Sequence, residues 1–155
     1  MTDHLALLRS KLVHLARMRS HLGYSVTQVQ PFVPAAHWQA LTADQHESLA
    51  AFRVRFSEYQ EHLGKTMRAL AIEEEVDVDR FGTVLAFMER LQVLDSADHW
   101  KLIRELRNAV NHDYEDDPVR LNTFIERMLA EVAALEGYHQ RLLNFCAQAY
   151  GLDAS

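Results

Sequence analysis

Residues 42–75 read TADQHESLAAFRVRFSEYQEHLGKTMRALAIEEE, and this stretch decides the fold class. Leu49, Phe52, Phe56, Tyr59, Leu63, Met67 and Leu70 recur every three or four residues, the spacing that lines side chains along one face of an α-helix. Thr42 followed by Gln45 three positions later is the capping-box pattern that starts such a helix. A helix reaching Glu75 would be roughly 45 Å long at 1.5 Å per residue, longer than a small domain is wide. That length predicts an elongated bundle or a face shared with a second subunit.

The same periodicity extends in both directions. Leu5, Leu8, Leu12, Leu15 and Leu22, with Met18 beside them, predict a first helix over residues 2–22, with Gly23 as its stop. Pro31 and Pro34 forbid a continuous helix through residues 24–41, where Phe32 and Trp38 are expected to pin the chain to the body. Downstream, residues 77–82 form a polar turn. A third helix over residues 83–94 turns Leu85, Met88 and Leu91 inward. Asp95 or Ser96 caps a fourth helix carrying Trp100, Ile103, Leu106 and Val110, with Asp98 in its first turn, where negative charge is favourable. Asp117-Pro118 opens the fifth, which carries Leu121, Ile125, Met128, Val132, Leu135, Leu142 and Phe145. The expected architecture is all-α, an up-and-down bundle of about five helices in one domain spanning residues 1–155.

Composition agrees. Five glycines and three prolines in 155 residues are too few for a turn-rich β fold, and 48% hydrophobic residues suffice for a core. No apolar run approaches bilayer-spanning length, and residues 1–9 lack a signal-peptide pattern. Cys146 stands alone, so no internal disulfide forms, and a cytoplasmic location is expected. The net charge of −6 argues against general duplex DNA binding, yet leaves room for a local basic site on an acidic body.

One cluster reads as chemistry. The fourth helix ends in RELRNAVNHDY, residues 104–114. Arg104, Asn108 and His112 are spaced four apart and share a stripe, with Arg107 at its edge. A cation, an amide and an imidazole together can hold a phosphate and move a proton. Singly, each has an ordinary structural use: arginine on a solvated face, histidine beside a helix C-terminus. Asn108 and Asn111 are the oddities, since asparagine is a mediocre helix former. Asp113, Glu115, Asp116 and Asp117 flank the run and would repel RNA if close, but they also suit the start of the last helix. Glu136-x-x-His139 has the spacing of a di-iron half-site with no second copy, and no two histidines lie three or four apart. No Gly-rich phosphate loop or nucleophile elbow occurs. No metal or cofactor is expected.

Arg107-Asn108-x3-His112-x-Tyr114 resembles the signature of HEPN-domain ribonuclease toxins of the HepT type, and the order of helices resembles that family over most of the chain outside residues 24–41. The resemblance implies a homodimeric helical bundle that cuts RNA without a metal. His112 would serve as general base or acid, Arg107 as phosphate clamp, Asn108 as an orienting residue and Arg104 as a supporting charge. It also implies a minimal nucleotidyltransferase antitoxin that transfers AMP to Tyr114 and silences the toxin. The alternative is a non-catalytic binding subunit of such a nucleotidyltransferase. Arg107 and His112, five residues apart, lie about 140° apart on an ideal helix, so either the helix ends near Asn111 or the working site uses both subunits, the second being favoured.

Overall fold

The computed structural model describes residues 3–109 and 117–153. It contains five α-helices: α1 (Asp3–Val29), α2 (Ala43–Glu73), α3 (Phe81–Arg90), α4 (Ala97–Ala109) and α5 (Pro118–Tyr150). Two short 3-10 turns lie between α1 and α2, and no strand occurs among the described residues. The long helices alternate in direction. Ser25 of α1 meets Arg55 of α2, while His14 meets His62, so α1 and α2 are antiparallel. Asp95 pairs with Arg141 and His99 with Glu131 and Tyr138, so α4 runs against α5. None of the described helices is long and apolar enough to cross a membrane.

The stripe that opens the sequence is the core. Leu49, Phe52, Phe56, Tyr59, Leu63, Met67 and Leu70 are all buried, and Leu8, Leu12, Leu15 and Leu22 of α1 face them. Thr42 accepts from the Gln45 backbone amide at 3.1 Å while the Gln45 side chain accepts from the Thr42 amide at 2.8 Å, closing the capping box. Asp117 caps α5 through the Arg120 amide at 3.2 Å, and Ser96 caps α4 through His99 at 3.0 Å. Asp95 is instead ion-paired to Arg141 at 2.8 Å.

Two expectations change. Gly23 does not stop α1, which continues to Val29. Ser25 and Val29 extend the buried stripe, and Arg55 donates to Ser25 Oγ at 2.8 Å, so packing on α2 outweighs the cost of about 1 kcal/mol for a mid-helix glycine. Second, α3 spans Phe81–Arg90 rather than 83–94. Gln92 adopts a left-handed conformation (φ 61°), which turns Val93 and Leu94 into the core instead of continuing the helix. The length of α2 fits the elongated-bundle alternative. Helices of 27 and 33 residues, α1 and α5, match its 31, and α2 buries residues from Leu49 to Ala71 within the chain. Trp38 is buried and donates to the Pro118 carbonyl at 3.4 Å, and Phe32 is half-buried against the core. Asn122 adds a two-point clamp on the Ala35 backbone, with both bonds at 2.8 Å.

One polar pair sits inside the core. His139 is 1% exposed, and its Nδ1 lies 2.7 Å from the Tyr59 hydroxyl. Burial first, and the Arg19 charge second, push the His139 pKa down to about 4. The native state therefore holds a neutral imidazole, whereas the unfolded chain protonates it near 6.5. Its contribution is complete above pH 6.5 and is lost as pH falls towards 4, a change of about 3 kcal/mol. Denaturant titrations between pH 7 and pH 4 should show this fall, and His139→Gln should flatten it. An equally steep fall in the variant would assign it to other groups.

Candidate functional site

Helix α4 lies close to α2 because of one missing side chain. A Cβ at Gly64 would sit 3.3 Å from Trp100 Cζ2 and 3.5 Å from Phe81 Cζ. The buried indole thus seats α4 directly on the α2 backbone. Further along α4, Arg107 reaches Glu61 of α2 at 3.7 Å, and Arg104 and Arg107 share a cleft with Lys65 and Arg68 of α2. The four cations line a cleft of about 270 Å³ with Trp100 and Phe81 among its walls.

Among the described residues, Glu61 is the one carboxylate lining this cleft. It lies 3.4 Å from the Lys65 ammonium and 3.7 Å from the Arg107 guanidinium. Among the described residues, Arg68 and Arg104 have no ion-pair partner. Arg107 is also held from its own helix: Nη2 donates to Asn108 Oδ1 at 2.8 Å. The floor carries unused polarity. Gln60 and Trp100 are 2% and 1% exposed, yet Gln60 Oε1 and Trp100 Nε1 lack hydrogen-bond partners among the described residues. The cleft therefore offers positive charge, one buried acceptor and one buried donor, a set suited to an anion that also carries hydroxyl groups.

Of the residues singled out by sequence, Arg104, Arg107 and Asn108 are thus brought together at this end of α4. His112 and Tyr114, with the acidic residues 113, 115 and 116, lie outside the described residues. Lys65, Arg68, Gln60 and Glu61 were not singled out, because α2 was read by its apolar positions. The available signal was Gly64, a glycine inside a strong helical pattern, which asks for a packing reason.

The remaining titratable clusters have structural uses. Glu136 pairs with Arg19 at 3.0 Å while His139 bonds Tyr59, so the two residues of the apparent metal half-site are used separately. Among the described residues, no three His, Cys, Asp or Glu side chains gather as a metal site. His99 bridges the Tyr138 hydroxyl and Glu131 (Nε2–Oε2 2.8 Å), tying α4 to α5. Burial, then the Asp95 charge, push the Tyr138 pKa up to about 12, so this buried phenol keeps its proton. Burial, with a lesser push from Glu74, likewise raises the Cys146 thiol to about 12, consistent with a core role.

Glu61 competes with any anion for Lys65 and Arg107. Glu61→Gln should therefore bind tripolyphosphate about 3- to 10-fold more tightly in calorimetric titration, with the gain shrinking as salt rises. Unchanged affinity would mean that anions do not enter this cleft. Comparison of the chain with protein-family models, with curated proteins and with solved structures finds no match.

Proposed function

We propose that the chain is a toxin-type, metal-independent endoribonuclease of a toxin–antitoxin pair, working in the cytoplasm through Arg107, Asn108 and His112. The observation that carries this reading is the basic cleft around Arg107, four cations against one carboxylate among the described residues, on a chain whose net charge is −6. It is the local positive site on an acidic body that a phosphate substrate requires.

RNA supplies its own nucleophile. The 2′-hydroxyl attacks the adjacent phosphorus, a new 2′-O–P bond forms, and the P–O bond to the next nucleotide breaks. His112 takes the 2′ proton or returns one to the leaving oxygen. Arg107 stabilises the charge that develops on the phosphoryl oxygens. Asn108, bonded to the Arg107 guanidinium, fixes its direction, and Arg104 adds positive charge from the same wall. The angle between Arg107 and His112 on one helix favours a homodimer in which each site draws on both chains. Transfer of AMP to Tyr114 by a minimal nucleotidyltransferase antitoxin would add bulk and negative charge beside His112, repelling an anionic substrate.

A second reading, a non-catalytic binding subunit of that nucleotidyltransferase, is favoured by a different feature. A groove of about 380 Å³ runs between α4 and α5, lined in part by Ile103, Leu106, Phe124 and the 60%-exposed Leu102. Glu105, Arg120, Arg127 and Glu131 line the same groove, and a surface that mixes apolar and charged side chains suits a protein partner.

Purified protein should cleave single-stranded RNA in excess EDTA and leave DNA of the same sequence intact. His112→Ala should abolish cleavage, and Arg107→Ala should reduce it on the order of a hundredfold or more. Undiminished cleavage by His112→Ala would end the ribonuclease reading. Co-purification with a nucleotidyltransferase and no cleavage by the isolated chain would favour the second. Light scattering should give a dimer, and a monomer in solution would remove the shared site.

A further inference from the structure

The side chains of Lys65 and Arg68, three residues apart on α2, form a ridge with a depression on each side. On the α4 side is the cleft just described. On the α1 side is a groove of about 280 Å³ that shares both residues and adds Lys11 and His4 over an apolar floor of Leu7, Ala69 and Ile72. The two depressions thus share one wall, formed by Lys65 and Arg68. Five cations on three helices follow one another: Lys11, then Lys65 and Arg68, then Arg104 and Arg107. Lys11 has no ion-pair partner among the described residues. A neighbouring group registers the field. Beside Lys11 and Lys65, His62 has its pKa lowered by burial first, then by the charges of Lys65, His14 and Lys11, which outweigh Glu61. The imidazole stands edge-on to His14 with ring centroids 5.3 Å apart.

We propose that a single strand of RNA crosses α2 on this track, with successive phosphates on the cations and bases or riboses over the two apolar depressions. The inference rests on the ribonuclease reading for the choice of RNA, and it extends that reading from one cleaved link to a strand held on both sides of α2. Helix axes packed 8–10 Å apart place the ends of the track on the order of 20 Å from each other, room for several nucleotides. A basic groove that follows the backbone, with apolar surface beneath the bases, is the physical recipe for single-strand binding without duplex recognition. On the α4 side, Gln60 and Trp100 line the depression beneath the cations.

The test measures binding apart from cleavage. Fluorescence anisotropy would follow a labelled RNA of about twelve nucleotides on the full-length His112→Ala chain across a salt series. Tight binding should weaken steeply with salt. Lys11→Gln should weaken it about 3- to 10-fold, and Lys11→Gln with Arg68→Gln should lower the salt slope by about 0.7 per removed cation. Lys65→Glu, at an exposed position, provides an independent variant if Lys11→Gln disturbs α1. An affinity and salt slope unchanged in the double variant and in Lys65→Glu would overturn the track, while cleavage by the unmodified chain would still support the ribonuclease. Duplex RNA bound as tightly as the single strand would also overturn it. Conversely, an unmodified chain that binds along the track but never cuts would sink the ribonuclease and leave the track standing.

Discussion

Everything distinctive about this surface depends on how closely the Trp100 indole approaches the backbone of α2. A helix pair separated by ordinary side chains would hold its polar residues on two separate ridges. With no Cβ at position 64, the ring fills the space between the helices, and the residues that follow on α4 come down beside the polar face of α2. Arg104 and Arg107 thereby share one cleft with Lys65 and Arg68, although nearly 40 positions separate the two pairs in sequence. A mid-helix glycine costs about 1 kcal/mol in helix propensity. Here that cost is offset by seating a large, fully buried ring.

Gathering four cations is itself unfavourable, because like charges repel at these distances. The fold limits the cost in two ways. Glu61 lies near enough to Lys65 and Arg107 to neutralise part of their charge, and the remaining cations stay in contact with solvent at the cleft mouth. Elsewhere the chain carries an acidic excess, which keeps the overall field weak for polyanions in general. An anion therefore meets local attraction at this cleft. That arrangement reconciles a negative net charge with a phosphate-binding reading.

The sequence was legible wherever one side chain's role follows from its neighbours along the helix. The α2 stripe, the Thr42–Gln45 capping box, the Asp117-Pro118 start and the buried Trp38 all follow from local spacing or turn chemistry, and the structure has each of them. Illegible features depend on a partner far away in the chain. Gly23 reads locally as a stop, and only the packing of Ser25 and Val29 on α2 carries the helix past it. Gln92 gives no sign of its left-handed conformation, since glycine is the usual residue there. At the candidate site, Arg104, Arg107 and Asn108 could be picked out because one helix carries them. The α2 half of the cleft could not, because register between two helices is absent from either one alone.

The bond between Arg107 and its own neighbour has a kinetic and entropic side. A free arginine has about 2 kcal/mol of rotamer freedom to lose when it grips a ligand. The Arg107 guanidinium has already lost part of that freedom to Asn108 Oδ1, within a single helix and before any substrate arrives. Its approach is preorganised, so an incoming phosphate has less disorder to quench at this position than at an unrestrained cation. A side chain at 108 without an acceptor, such as alanine, would leave the charge in place and remove that advance ordering.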